Sequence, residues 1–566
     1  MRTFFFFILA TTWLVFWPAV AAADPQPAVA SGDSDGQKPR VLPIVIEVDG
    51  RAPREAGIDD LTGTDPAARA RDRALDKPAF STVIDIADRA GEVTSVGEAL
   101  AAAGAHVRSL GGLGAFSSVS VRGNDPGHTA VAIDGVPLST LASVTANLGA
   151  LDLFGFSAAT LSRSGGGLGA GGMGGAVLLT TRVFPAEPGG AGVYVSAGAG
   201  SFGARHLRSR WIGATEDGHR GWHVALSYAG ADGDFSYFDD NGTNLNLADD
   251  HIAVRENNGY DQLTAVARGG AKTAASTVVG GVRVMTRRQG VPGPAGTSAT
   301  AASLDSTRAM VDTTWRTESP FGWPAASEVT AYVVGEHQAY RDPLGEIGLS
   351  AQDRRYVTVA AGTHGRLQVA ITDRHELVLG GGGRADYFAD TSAVTSATRG
   401  HGARMAGFLA LADRFTAAGD TVELSPGVRI TAMRTDPLGD AQSPLGEMDL
   451  SPRGDVFLSP RLGARVRPLS YLAIKANAGY YARPPTVYEM FGDRGFLVGN
   501  PGLLAETGPA ADAGVVLAPD HALGHVLDRA LVSAAGFVSA PHDAIVLVPT
   551  AGLATVPQNI GDAIIF

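Results

Sequence analysis

Long segments of strict two-residue alternation, in a chain with no cysteine, limit this fold more than any other feature. Trp222, Val224, Leu226 and Tyr228 alternate with His223, Ala225, Ser227 and Ala229. Leu472, Ile474, Ala476 and Ala478 alternate in the same way with Ala473, Lys475, Asn477 and Gly479. Val422 and Leu424 flank Glu423, and Val428 and Ile430 flank Arg429. One face of each segment is apolar and the other polar or small, as in a strand with lipid outside and a wet lumen inside. The segments run to about 9–14 residues, the length of a tilted transmembrane strand. Strands of a soluble sandwich are shorter, near 5–6 residues. Past the N-terminal region no apolar run is long enough for a spanning helix, so entry into a membrane requires a closed barrel.

The N-terminus carries an export pattern. Arg2 precedes a continuous apolar stretch from Phe4 to Trp17, and Ala19 to Ala23 offers small-residue cleavage sites. Residues 1–23 are therefore expected to be a signal peptide. The absence of cysteine excludes disulfides, thiol catalysis and a cysteine-linked lipid anchor. The net charge of −12, with no long basic run, argues against nucleic acid as a partner.

Residues 24–80 read as a flexible segment of low hydrophobicity. It is interrupted once, by Pro43, Ile44, Val45, Ile46, Glu47 and Val48, a short β-branched strand with no neighbour to pair with. Such a strand suits addition to the sheet edge of another protein, although it also suits the first strand of the following domain.

A unit of about 100 residues, 81–182, follows. Ser95 and Glu98 form a capping box before a short helix. Val119 to Val121 read as a strand ending at Arg122-Gly123, and Val131 to Ile133 as one closing in the turn Asp134-Gly135. Ala176 to Thr180 is the exit strand. From 190 to 566 the alternating pattern prevails. Polar insertions (Asp232 to Asp261, Gly290 to Ser303, Asp436 to Gly454) alternate with short turns such as Thr372-Asp373-Arg374, and read as extracellular loops.

Two motif blocks carry a resemblance. The first runs TSVGEAL, SLGGLGAFSSVSVRGND, VAIDGVPL and SRSGGGLGAGGMGGAVLLTT, between Ser81 and Thr181. The second runs LSPRLGARVRP and YYARPPTVYEMFGDRGFLVGNPGLLAET, with Asp543-Ala544-Ile545 and Gln558-Asn559-Ile560-Gly561 further on. In this order they resemble the plug and barrel of TonB-dependent outer-membrane receptors. The resemblance implies a transmembrane antiparallel β-barrel with an N-terminal mixed α/β plug in its lumen. It implies active import of a large scarce nutrient, a ferric siderophore or a cobalamin-type ligand, across the Gram-negative outer membrane. The partners implied are outer-membrane lipid, a small metal-chelate ligand and the periplasmic TonB protein, with Pro43 to Val48 as the TonB-binding strand. Arg122 and Arg163 are the candidate latch between plug and barrel wall, and Asp134 and Gly135 form a plug turn.

The chain departs from the family pattern in three respects. The acidic residue expected shortly before Arg163 is missing, the stretch reading Thr160-Leu161-Ser162-Arg163-Ser164. The tether after Val48 is long. About 16 strand-like segments follow Gly192, where plugged transporters have 22, so the barrel is expected to lack its last strands; a complete smaller barrel is the alternative.

Other chemistry finds little support. Gly165 to Gly175 is glycine-dense but lacks the lysine of a phosphate loop. Asp232, Asp234, Asp239 and Asp240 offer hard oxygen ligands for calcium in an extracellular loop, without EF-hand spacing. His521 and His525 are four apart with Asp520 adjacent, a metal-binding spacing placed where a turn is expected. No catalytic triad, paired-carboxylate motif or HExxH is present, so the chain reads as no enzyme and needs no cofactor. A receptor-like adhesin or signalling barrel that keeps its plug but imports nothing is the alternative, and a passive porin a third.

Overall fold

The computed structural model describes residues 75–566 apart from 87–94, 110, 139–144, 165–172, 186–187, 242–245, 294–297, 319–324, 348–350, 392–400, 439–441, 444–445, 448–450, 492–496, 498, 523–526 and 550–554. The export signal, the strand Pro43 to Val48 and most of the glycine run lie outside the described residues. The chain divides into Met1–Val41 and Leu42–Phe566, and everything below belongs to the second unit.

The first part is a small mixed α/β domain. Its strands are β1 (Ser81–Asp85), β2 (His106–Ser109), β3 (Ser117–Ser120), β4 (Thr129–Ile133), β5 (Val136–Pro137), β6 (Ala158–Ser162) and β7 (Gly175–Thr180). Five of them form one sheet in the order β1-β6-β7-β4-β5, with only β4 and β7 parallel. Helix α1 (Val96–Ala102) starts as its capping residues dictate, Ser95 Oγ accepting from the Glu98 amide at 3.2 Å. Val96, Leu100, Val119, Val131, Ile133, Leu161 and Val177 close a common apolar core.

That core continues into the second part. Met310, Tyr332, Val334 and Ala360, on strands of the large sheet, are members of the same buried cluster. The small domain is therefore packed on the inner face of the wall rather than hung from it.

The wall is a fifteen-stranded antiparallel meander in which every strand pairs with its neighbours in sequence. It comprises β8 (Ala191–Ala199), β9 (Arg205–Ala214), β10 (Arg220–Ala231), β11 (Tyr260–Lys272) and β12 (Ser276–Gly290). It continues through β13 (Ser303–Thr317), β14 (Ala325–Asp342), β15 (Gln352–Thr372), β16 (His375–Asp390) and β17 (His401–Ala417). The last five are β18 (Val422–Pro437), β19 (Arg453–Leu469), β20 (Leu472–Arg483), β21 (Glu506–Leu517) and β22 (Val532–Ser539). Among the described residues no ladder joins β8 to β22.

The wall is apolar outside and polar inside. Leu409 and Val456 are each 73 % exposed, whereas Lys475 is 1 % and Glu423 2 % exposed. In water such an arrangement would be unstable, because buried charge is costly and exposed Leu and Val gain nothing. In a bilayer it is the stable one. The alternation of Trp222 to Ala229 obeys it, with Trp222 and Leu226 exposed and His223, Ala225 and Ser227 buried. No helix of the described residues is long and apolar enough to cross a membrane.

Several strands exceed the expected length. β15 has 21 residues and β14 has 18, so β15 rises roughly 70 Å at about 3.3 Å per residue. The excess carries the strands past an apolar band about 25 Å tall, into the longer connections at one end. The connection after β10 is itself structured: Ser236–Asp239 pairs with His251–Val254 as a hairpin.

Candidate functional site: the interface between plug and wall

Polar side chains on the inner faces of the wall strands converge on the small domain. Alternation puts Arg268, Arg283 and Arg287 on inner positions of β11 and β12, and all three are buried. Arg268 donates to both carboxylate oxygens of Asp312 at 2.7 and 2.6 Å, and lies 3.1 Å from Asp134 Oδ2. Arg283 donates to Thr181 Oγ1 at 2.9 Å and stacks on the Phe156 ring at 4.4 Å. Arg287 donates to the Gly149 carbonyl at 3.0 Å and to the Gly114 carbonyl.

Asp134 and Gly135 form the turn read from the sequence, at φ +50° and +86°. The turn does more than reverse the chain. Asp134 Oδ1 accepts from the Thr181 amide at 2.7 Å, while its other oxygen faces Arg268. Asp152 similarly accepts from the Phe154 amide at 2.7 Å and from the Ser227 hydroxyl of the wall.

The two candidate latch arginines part ways. Arg122 Nη1 lies 2.5 Å from Asp512 Oδ2 on β21, with Phe80 and Phe537 rings 5.8 and 5.4 Å away. Asp512 is held from the wall side by Asn477, whose amide donates to it at 2.8 Å. Arg163 instead turns into its own domain, donating to Thr82 Oγ1 at 2.7 Å and to the Ala103 carbonyl. Burial first, and Arg122 second, push its guanidinium below the usual arginine range. The expected wall partner for Arg163 is thus replaced by partners inside the small domain; the missing acidic residue upstream is consistent with this.

Two more seams complete the interface. Asn477 donates to Ser164 Oγ at 3.2 Å and to the Pro78 carbonyl at 3.1 Å, and Ser539 Oγ donates to Asn124 Oδ1 at 2.9 Å. Near the long connections, His128 Nε2 lies 2.6 Å from Glu506 Oε2, which also pairs with Arg483. Arg483, Glu489 and Glu506 are spread along the single run YYARPPTVYEMFGDRGFLVGNPGLLAET, and here they meet.

The acidic residues proposed for calcium do not gather into a metal-holding group; no cluster of three or more His, Asp or Glu does so among the described residues. Asp232 pairs with Arg205 at 2.8 Å, and Asp239 accepts from the Asn241 amide at 3.0 Å. His525 lies outside the described residues. Sequence reasoning missed Arg268, Arg283, Arg287, Asp152 and His128. Inward alternation could have flagged the first three, whereas the last two sit on irregular chain.

The description TonB dependent receptor-like, beta-barrel fits residues 227–566, more than half of the chain. The chain belongs to the TonB-dependent receptors. This receptor is accordingly a protein of the Gram-negative outer membrane, its small domain is the plug and its meander the barrel wall. The Serratia marcescens hemophore receptor HasR, solved with its hemophore HasA and heme, is 16 % identical. It aligns over 87 % of this chain and 79 % of its own, with a TM-score of 0.65. The FrpB iron transporter from Neisseria meningitidis is 13 % identical over 82 % of this chain and 72 % of its own, TM-score 0.63. The alcaligin receptor FauA from Bordetella pertussis is 14 % identical over 86 % and 76 %, TM-score 0.61. At these identities the likeness concerns the fold alone. No curated protein matches the receptor in sequence.

Proposed function

We propose that this receptor imports a scarce metal chelate, a ferric siderophore or cobalamin-type ligand, by TonB-driven displacement of its plug. The observation that carries the reading is the interface itself. The plug is joined to the wall by buried charged contacts at Arg122, Asp134 and Asp152 and by the contact of His128 with Glu506. Such contacts keep a plug seated at rest and can be broken one after another by a pull, since each is short-ranged.

Residues 1–23 direct export, and Pro43 to Val48 add as a strand to TonB in the periplasm. The ligand enters from the end of the barrel that bears the long connections. There Tyr356 stacks on Phe388 at 5.8 Å; β16, which bears Phe388, also bears Arg384, and the adjacent β17 bears Arg404. Flat rings beside guanidinium groups suit an anionic chelate with aromatic or conjugated donors.

The test is uptake and growth of a deletion strain on a panel of ferric siderophores and cobalamin, with Ile44→Pro as the variant. Proline removes an amide and forbids strand addition. Growth on one chelate, lost in Ile44→Pro and in a strain without TonB, supports the reading. Uptake unchanged by Ile44→Pro sinks it.

A further inference from the structure

We infer that Glu506 is the joint through which the short helix Val487–Phe491, between β20 and β21, holds the plug in place. The inference rests on the plugged-receptor reading above but needs neither ligand nor TonB to be tested.

Glu506 is the first residue of β21 and is 2 % exposed. Its two oxygens join three parts of the molecule. Oε2 takes His128 Nε2 of the plug at 2.6 Å and also the Nε of Arg483, the last residue of β20. Oε1 accepts from the Ile545 amide at 2.6 Å, beyond β22. Arg483 reaches onward: its Nη1 donates to both carboxylate oxygens of Glu489 at 3.1 Å. Glu489 lies on the short helix α2 (Val487–Phe491), where it also accepts from the Thr486 amide at 2.7 Å. Its carbonyl accepts from the Asn500 amide at 3.0 Å.

The result is a single line of contacts, Glu489 to Arg483 to Glu506 to His128, from an external segment to the plug. His128, Glu489 and Glu506 are buried and Arg483 nearly so, so none can exchange a lost partner for water at low cost. Moving α2 draws Arg483 from Glu506, and Glu506 then holds His128 in a changed position. Among the described residues the buried Nδ1 atom of His128 has no partner, so there the ring depends on its Nε2 contact for its place. The carboxylate therefore acts as a positioning residue for the plug.

Hydrogen exchange of the purified full-length receptor in detergent tests this. Glu489→Gln is the informative variant, because Glu489 acts on the plug only through Arg483 and Glu506. We expect plug amides 122–133 to exchange at least about ten-fold faster in Glu489→Gln, as in His128→Gln and Glu506→Gln. Strands β6 and β7 should stay protected. The double variant Glu489→Gln with His128→Gln should exchange no faster than His128→Gln alone. Unchanged exchange at 122–133 in Glu489→Gln, or additive effects in the double variant, overturns the inference. If Glu489→Gln fails to assemble, Arg483→Lys decides: it keeps the charge and loses the fork, so the same amides must speed up, and unchanged exchange again overturns it.

Discussion

Arg122 Nη1 lies 2.5 Å from Asp512 Oδ2, across 390 residues of chain and across the seam between plug and wall. Arg122 reaches that contact from a left-handed backbone conformation, φ +56°, which a non-glycine residue adopts at a cost of about 1–3 kcal/mol. Gly123 follows at φ +71°. The strained turn aims the guanidinium outward, and the wall contact holds the turn.

Removing one partner of this buried pair should loosen the plug more than removing both. Arg122→Gln or Asp512→Asn alone should destabilise the seated plug by about 3–5 kcal/mol. The double variant should cost less than either single variant. Urea titration of purified variants, followed by a fluorophore on the plug, gives the cycle. Strict additivity would mean that the two groups do not act as a pair.

A cation placed on the lipid face should impair assembly. Val333, at mid-strand on β14, is half exposed and points outward. Val333→Arg should cost about 2–4 kcal/mol, while Val333→Leu should be close to neutral. The fraction of folded, heat-modifiable protein on cold gels measures it. Equal folding of both variants would argue against lipid at that position.

An acid-sensitive clamp joins two of the long connections. Glu346 accepts from the amides of Ala301 and Thr300, each at 2.9 Å, and from the Thr300 hydroxyl at 2.8 Å. The Ala301 amide foremost, with the Thr300 contacts, holds its carboxyl below the usual glutamate range. A depressed carboxylate stabilises above its unfolded value, about 4.3, and loses that contribution as pH falls through the lower folded value. The exchange protection of amides 298–302, corrected for the intrinsic pH dependence of exchange, should therefore be constant from pH 8 to 5 and fall below about pH 4. Glu346→Gln should show the loosened loop already at neutral pH.

Much of this architecture was legible in the residues, for physical reasons. The wall shows itself because a two-residue period is forced by the pleat and by the different media on its two faces. Val131 to Gly135 showed itself because a strand and its turn are local. The pairings between plug and wall did not. Arg268 meets Asp134 because of register across many strands, and nothing near either residue encodes it. Arg163 was misread for a related reason: a half-buried arginine is satisfied by whichever acceptors the fold brings near, here Thr82 and Ala103. The strand lengths were underestimated because the apolar-polar alternation of residue types fades where β14 and β15 run past the apolar band.

The central claim is that the plug must move for the receptor to transport. Asn124 of the plug and Ser539 of the wall are in side-chain contact, 2.9 Å apart, and the chain contains no cysteine of its own. Asn124→Cys with Ser539→Cys, bridged by a short thiol cross-linker, fastens plug to wall at one point. The account predicts that cross-linking abolishes uptake of the chelate that supports growth, that each single variant transports, and that a reducible cross-linker restores uptake on reduction. Uptake at the wild-type rate by the fully cross-linked receptor would contradict it.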